Sequence, residues 1–278
     1  MTDRNPLSLT LWSISIVSLA LVTGGCASGA KNVPYPAFVQ AEELEYVYLA
    51  EMPGIMAKRF SGDLRSGRFS ALLHLPESWR WNTGASPGKS VEIYVIAGEI
   101  TLADLTLLPG NHAYLPPGSM GLTMSTARGA QVLYFLDDAS PNAIIQTPLF
   151  MSREVVPWQP VANPVPGATG AGLEVKELRS DPGSGARTFL LQVPRGATLP
   201  WLQSSVALEG FLLSGDYSHS ECVNGKPVTG EYAPGGYFQR PAGAINGGPE
   251  AGSRTGAVWL LREASKGTET TVASCTPP

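Results

Sequence analysis

The two halves of this 278-residue chain repeat one another, and the repeat limits the folds that are possible. Lys58 matches Lys176, an offset of 118 residues. Further on, the segment VEIYVIAGE at 91–99 matches LEGFLLSGD at 208–216, and a longer loop in the second half then increases the offset. Matches that stay in order over most of each half are typical of a tandem duplication. We therefore expect two domains of one architecture.

Each half consists of short apolar runs separated by glycine and proline, which number 31 and 24 in the chain. No run has the 3.6-residue period of an amphipathic helix, and glycine and proline commonly separate short strands. Such spacing is typical of a β-barrel or sandwich, so the sequence predicts an all-β fold. The predicted strands are 70–76, 91–97, 113–116 and 131–136 in the first half, and 187–193, 207–213, 237–240 and 258–262 in the second.

Glycine and proline also fall at fixed spacings within each half. In the second half, Gly196 and Gly215 flank one stretch, and Gly235, Pro241 and Gly243 mark another. This spacing resembles the two sequence motifs of the cupin superfamily. The first motif is G, five residues, H-x-H, three or four residues, E, six residues, G; the second is G, five residues, P-x-G, two residues, H. The resemblance implies two tandem cupin-like barrels, of the double-stranded β-helix or jelly-roll type, as in bacterial bicupins of uncharacterised function.

The positions that bind metal in the family carry other residues here. The eight positions are, in chain order, Gly84, Ser86, Val91, Gly121, Leu202, Ser204, Leu208 and Asn246. A transition metal in such a barrel requires imidazole nitrogens and a carboxylate. We therefore predict no metal and no other cofactor. Glu92 and Glu209 lie one residue beyond a ligand position, and strand alternation should point them out of the barrels.

The N-terminus is typical of an exported bacterial protein. Arg4 precedes an apolar run from Leu7 to Val22, and Gly24-Gly25-Cys26 follows. This resembles a lipoprotein signal, which implies a lipid on Cys26 that attaches a periplasmic protein to the membrane. Ala27 favours the outer membrane. The alternative is ordinary cleavage after Ala30, which would give a soluble periplasmic or secreted protein.

These features divide the chain into six segments. They are a lipoprotein-type signal peptide (1–26), a tether (27–42), the first cupin-like barrel (43–150), a linker rich in proline and glycine (151–172), the second barrel (173–264) and a polar tail (265–278). Cys222 in the second barrel and Cys275 in the tail remain after Cys26. An oxidising compartment would allow them to pair as a disulfide, and two free thiols are the alternative.

The chain has three histidines, none at a metal-ligand position. His112 and Tyr114 precede Pro116 on a strand that we expect near a barrel mouth. They could form a general base with a phenol partner, or His112 could be a hydrogen-bonded structural residue. We expect His74 in the core and His219, in the longer loop of the second half, in solvent.

A barrel that has no metal keeps a concave interior, and such a cavity can bind a small molecule. Aromatic faces with few polar groups would suit a sugar-like or planar organic ligand. Alternatively, the tryptophans plug the barrels. The candidate pocket residues are Trp81, Ser86, His112 and Tyr114 in the first half, and Trp201, Ser204, Arg240 and Asn246 in the second.

Three kinds of function are compatible with this sequence. The first is a metal-free, non-catalytic bicupin lipoprotein that binds a small ligand or acts as a scaffold. The second is an enzyme related to bicupin dioxygenases, isomerases or decarboxylases, with a relocated or metal-independent site. The third is a structural module that binds another protein. The net charge of −4 gives no sign of a nucleic-acid partner. The family resemblance also makes a homodimer possible.

Overall fold

The computed structural model describes residues 35, 38–161, 168 and 172–275. Within these residues the chain forms 23 strands and one 3₁₀ turn at Ala41–Glu43, so the prediction of an all-β fold is confirmed. None of the described residues belongs to a helix long and apolar enough to cross a membrane. The predicted signal peptide and Cys26 lie outside the described residues.

Twelve strands belong to the first half of the chain. They are β1 (Val39–Gln40), β2 (Val47–Tyr48), β3 (Met56–Asp63), β4 (Arg68–Leu75), β5 (Arg80–Thr83), β6 (Lys89–Gly98), β7 (Ile100–Leu102), β8 (Leu105–Leu107), β9 (Asn111–Leu115), β10 (Leu122–Ser125), β11 (Ala130–Asp138) and β12 (Leu149–Ser152). All of them except β1 form the first barrel. Its larger sheet has the order β12-β9-β6-β11-β4-β3-β2, and its smaller sheet has the order β5-β10-β7-β8.

Eleven further strands follow. They are β13 (Gln159–Pro160), β14 (Glu174–Ser180), β15 (Arg187–Val193), β16 (Trp201–Ser204), β17 (Leu208–Gly215), β18 (Tyr217–Val223), β19 (Lys226–Tyr232), β20 (Gly236–Arg240), β21 (Ile245–Gly252), β22 (Ala257–Glu263) and β23 (Glu269–Thr271). The second barrel has a larger sheet β1-β20-β17-β22-β15-β14-β13 and a smaller sheet β19-β18-β21-β16-β23. The eight predicted strands overlap β4, β6, β9, β11, β15, β17, β20 and β22, and all eight lie in the two larger sheets.

The predicted tether, linker and tail all contribute strands. β1 lies in the predicted tether and pairs with β20 of the second barrel, with Val39 opposite Tyr237. β13 lies in the predicted linker and pairs with β14, and β23 lies in the predicted tail and pairs with β16. Each added strand satisfies backbone groups along a strand that would otherwise lie at a sheet edge. The second barrel is therefore completed by the chain on both sides of its predicted boundaries.

The interior of the first barrel is filled by apolar side chains. Val91 occupies a family ligand position and is completely buried, as are Ile93 and Val95 on the same face of β6. Leu115 and Met124 fill the space opposite them and are also completely buried. The first barrel is thus a packed core, one of the two outcomes that the sequence left open.

The two barrels pack through the outer faces of their larger sheets. Phe60 of β3 stacks on Tyr237 with ring centroids 4.4 Å apart, and it lies 5.8 Å from Phe211. Leu133 and Leu190 are buried in the same cluster. An apolar layer of this kind stabilises the packing of the two barrels against each other.

A candidate ligand cavity in the second barrel

The second barrel encloses a cavity of about 460 Å³, a size that suits a small organic molecule. Tyr217, Tyr232, Phe238 and Trp259 are buried and form its deep end. Trp259 meets both tyrosines edge to face, with centroids 5.5 and 5.2 Å away. The side walls are aliphatic and aromatic: Leu173, Val175, Phe189, Leu191, Leu199 and Leu261.

Equivalent strands in the two barrels carry different inward-facing residues. On β6 and β9 of the first barrel, Ile93 lies opposite Ala113. On β17 and β20 of the second, Gly210 lies opposite Phe238, so the large side chain comes from the other strand. A Cβ on Gly210 would lie 2.4 Å from the Phe238 ring, which explains the glycine.

Two residues along the same strands, a pair that is apolar in the first barrel includes a charged residue in the second. Val91 lies opposite Leu115 in the first barrel, and Leu208 lies opposite Arg240 in the second. Arg240 therefore occupies the place of a fully buried leucine, and it is itself only 3% exposed. A buried guanidinium requires partners that replace its water.

A long hairpin provides those partners. β18 and β19 have seven residues each, whereas their counterparts β7 and β8 have three. The hairpin turns at Asn224 and Gly225, both with positive φ, as a tight two-residue turn requires. Because side chains alternate along a strand, Tyr217, His219 and Glu221 share the face that covers the barrel.

Arg240, Glu221 and His219 form one buried polar cluster. The Arg240 Nη2 group donates to Glu221 Oε1 at 2.6 Å, and Nε donates to both carboxylate oxygens at 3.0 and 3.1 Å. The same Nη2 group lies 2.9 Å from His219 Nε2. A guanidinium can only donate, so Nε2 accepts and the ring proton lies on Nδ1. None of these contacts uses Arg240 Nη1.

The protonation states follow from burial and charge. Burial alone would raise the pKa of Glu221, but the Arg240 guanidinium lowers this pKa to about 2. Burial lowers the pKa of His219, which stays neutral at pH 7. The cluster therefore contains one cation, one anion and a neutral imidazole.

Two buried polar atoms in this cavity have no hydrogen-bond partner among the described residues. They are His219 Nδ1 and the Tyr232 hydroxyl, and both residues line the cavity and are at most 5% exposed. The Asn246 side chain lies beside His219 and favours its charged form, without a hydrogen bond of ordinary geometry. An unsatisfied buried donor costs free energy, and a bound molecule could satisfy it.

The comparisons with known proteins give the fold. No family model and no curated protein matches this chain. Solved structures do match, and a candidate dioxygenase from Nostoc punctiforme has a TM-score of 0.65 at 16% identity, covering 85% of this chain and 86% of its own. Ylba from E. coli has a TM-score of 0.62 at 16% identity, with 83% and 91% covered. A variant of oxalate decarboxylase from Bacillus subtilis has a TM-score of 0.57 at 11% identity, with 87% and 81% covered. The chain has a bicupin fold. The two tandem cupin-like barrels expected from the sequence are therefore confirmed at the level of the fold.

The metal positions of the cupin fold do not provide a metal site in this bicupin. Leu202, Leu208 and Asn246 line the cavity together, and Leu202 lies opposite Asn246 on β16 and β21. The fourth position, Ser204, donates its hydroxyl to the Val206 carbonyl. Two leucines and an amide do not fit a transition metal. Among the described residues, no group of three or more histidine, cysteine, aspartate or glutamate side chains could hold a metal ion.

The candidate pocket residues of the bicupin do not lie in one place. Arg240 and Asn246 line the cavity. Trp201 and Ser204 do not, and the Trp201 indole packs against Gly248. Trp81 and Ser86 are exposed on the first barrel, whose interior is filled.

His112 and Tyr114 lie between the barrels, not at a mouth. His112 Nε2 is 2.9 Å from a carboxylate oxygen of Glu92, and both residues are buried. Glu92 also binds Arg179 of the second barrel at 2.7 Å and Arg262 at 3.3 Å. Glu92 does point out of its barrel, as expected from strand alternation. His112 belongs to this charged cluster, so no general base is placed at a barrel mouth.

The other two histidines were also misplaced from sequence. His219 is 5% exposed, because the predicted loop is a hairpin whose inner face covers the cavity. The signal that could have found it is the alternation of Tyr217, His219 and Glu221 with smaller residues before Asn224-Gly225. His74 is exposed, on the outer face of β4.

The hairpin is also joined covalently to the C-terminal segment. Cys222 on β18 and Cys275 form a disulfide, with their Cα atoms 5.2 Å apart. β23 lies between Cys275 and the rest of the second barrel in the sequence and supplies Glu269 to the cavity wall. The disulfide therefore links two elements that line the cavity.

Proposed function

We propose that this protein is an exported, metal-free bicupin that binds a small organic molecule in the second barrel. The observation that carries the proposal is the cavity of about 460 Å³, with its apolar walls and its buried Arg240–Glu221–His219 cluster. A purely structural barrel gains nothing from an empty interior, because unfilled space forfeits packing contacts. The filled first barrel then acts as the scaffold that supports the second.

The disulfide supports the exported location. Disulfides persist in oxidising compartments, and Cys222 and Cys275 form one here. Together with the signal-like N-terminus, this favours a lipoprotein held at the outer membrane by Cys26. Cys26→Ser should move the protein from the membrane fraction to the soluble periplasmic fraction. A variant that stays with the membrane would contradict the lipid anchor.

A catalytic role has less support from the geometry. The alternative is an enzyme with a relocated or metal-independent site that uses a group such as His112, Tyr114 or Arg240. His112 and Tyr114 face the space between the barrels, and Arg240 lies inside the second barrel. The described residues therefore favour binding, because the residues that line the cavity are sufficient to hold a small molecule.

Native mass spectrometry of the exported, gently purified chain tests the proposal. We expect an organic adduct on the wild-type protein and no stoichiometric metal. Leu191→Trp should abolish the adduct, because Leu191 lines the cavity and a larger ring would fill it. Leu105→Trp is the matched control, since Leu105 is 47% exposed on the first barrel.

Each alternative result would count against the proposal. A stoichiometric metal ion on the wild-type chain would show that the metal assignment is wrong. An adduct that survives in Leu191→Trp would place the ligand elsewhere. A wild-type chain that carries nothing would favour a structural or partner-binding role.

A further inference from the structure

We infer that the cavity of the second barrel selects organic cations, namely molecules with an apolar or aromatic body and an ammonium group directed to the mouth. This inference rests on the proposed ligand-binding function. It adds the charge and the orientation of the ligand, which the apolar walls alone do not determine. The charged residues around the cavity carry it.

The positive charges of the cavity wall are already paired. Arg187 donates two hydrogen bonds to Glu263, at 2.7 and 2.8 Å. Arg240 binds Glu221 through Nε and Nη2. These two arginines are the cations that line the cavity within the described part of the chain. An anionic ligand would therefore find no uncompensated positive charge.

Two negative charges of the wall have no direct ion pair, although the charge of Arg187 attracts both from a longer distance. Glu177 on β14 and Glu269 on β23 line the cavity, and neither forms a salt bridge with another described residue. Glu177 and Glu269 are exposed, so we place them at the mouth of the cavity. Tyr217 and Trp259 are buried and lie at its deep end. The mouth is therefore negative and the deep end is electrically balanced.

The surroundings of Glu269 also change its pKa. Desolvation in the cavity wall, followed by the negative charge of Glu263, raises the pKa of Glu269, and the positive charges of Arg240 and Arg187 offset only part of this rise. A carboxyl whose ionisation is opposed mainly by desolvation, and also by one neighbouring carboxylate, is stabilised in its charged form when a cation approaches. An ammonium group at the mouth would favour the ionised form of Glu269.

The deep end favours a neutral, hydrogen-bonding or aromatic portion of the ligand. His219 Nδ1 and the Tyr232 hydroxyl lack partners among the described residues, and Arg240 Nη1 takes no part in the contacts with Glu221 and His219. These groups can donate to a carbonyl or hydroxyl oxygen. A carboxylate would have to pass Glu177 and Glu269 to reach them.

Three probes with the same phenylethyl body and different charges test this preference. Phenethylamine, 2-phenylethanol and 3-phenylpropanoate share a phenylethyl body and are a cation, a neutral molecule and an anion at pH 7. Isothermal titration calorimetry on the full mature chain measures their affinities at low salt. We expect phenethylamine to bind at least about fivefold more tightly than the alcohol, and the anion to bind most weakly.

Charge-removing variants then locate the preference. Glu177→Gln and Glu269→Gln should each lower the affinity for phenethylamine and leave that for the alcohol unchanged. Glu77→Gln removes the same charge from an exposed position on the first barrel and serves as the control. Added salt should weaken the cation preference, because exposed charges are screened.

Several results would overturn the inference. They are equal affinities for the three probes, a preference for the anion, no binding of any probe, or an equal effect of Glu77→Gln. None of these decides the proposed function, which native mass spectrometry of wild type and Leu191→Trp tests independently. An organic adduct without a positive charge would refute the cation selection and support ligand binding.

Discussion

Glu221→Gln should destabilise the protein by about 3 kcal/mol at pH 7, because it removes the charge that neutralises buried Arg240. Glu221 is 2% exposed and Arg240 is 3% exposed, so water cannot replace the missing carboxylate. The substitution preserves the shape of the side chain and one of its acceptor oxygens. Its effect therefore measures the loss of the charge and of one acceptor oxygen rather than a change in packing.

The magnitude also follows from the titration of Glu221. Its pKa falls from an ordinary 4.5 to about 2 in the folded protein. A shift of about 2.5 units corresponds to about 3 kcal/mol of stability. Because the folded pKa is the lower one, this stability is complete above pH 4.5 and is lost as the pH falls toward 2. At pH 2 the wild type and Glu221→Gln should converge.

Urea denaturation of both proteins between pH 2 and pH 7 tests this prediction. Arg240→Leu introduces the residue that the first barrel has at Leu115, and it should also destabilise, because it leaves Glu221 unpaired. The double variant should cost clearly less than the sum of the two single variants. Glu99→Gln breaks the exposed Arg128–Glu99 pair and should cost less than about 1 kcal/mol.

The reasoning would be refuted by a Glu221→Gln variant that is no less stable than Glu99→Gln. Additive effects in the double variant would show that the two side chains do not depend on each other. A difference between wild type and Glu221→Gln that does not change with pH would mean that Glu221 is not held ionised by Arg240.

Three further predictions concern other parts of the molecule. Replacing Cys222 and Cys275 by serine should lower the free energy of unfolding by up to about 4 kcal/mol, because the disulfide closes a loop with a sequence separation of 53. In urea denaturation, adding a reductant to the wild type should lower the free energy of unfolding by the same amount. Glu92→Gln should cost roughly 3 kcal/mol in the same assay, because buried Arg179 and Arg262 lose their shared carboxylate. Gly215→Ala should destabilise by at least about 2 kcal/mol more than Gly67→Ala, since both have positive φ but only the first would place a Cβ 1.8 Å from a backbone oxygen. Equal melting temperatures for these two alanine variants would contradict the clash.

The architecture was largely predictable from the sequence, because glycine and proline spacings act locally. Gly98 and Gly215 both have positive φ. A Cβ added at either position would lie within 2.3 Å of a backbone oxygen, so any other residue there would be strained. Apolar runs between such turns can only be strands, and the repeat places the same strands in both halves. The outward direction of Glu92 followed from strand alternation in the same way.

The candidate site was only partly predictable. Arg240 and Asn246 were selected because they fall near motif positions, and both line the cavity. The sequence does not single out His219 and Glu221 as site residues, because the longer segment after Gly215 predicts a loop. The alternation and the Asn224-Gly225 turn indicate a hairpin, but they do not say which face it covers.

The sequence by itself determined the duplicated β-architecture and the absence of the family's metal ligands, since both depend on residue type at fixed spacing. The tertiary structure alone decided that the first barrel is filled and the second is open. It also decided that Glu92 and His112 join the barrels, while Glu221 and His219 face a cavity. The contacts that pair these charges join residues that lie between 19 and 170 positions apart in the sequence. No local pattern encodes such contacts, because they exist only once the sheets have packed.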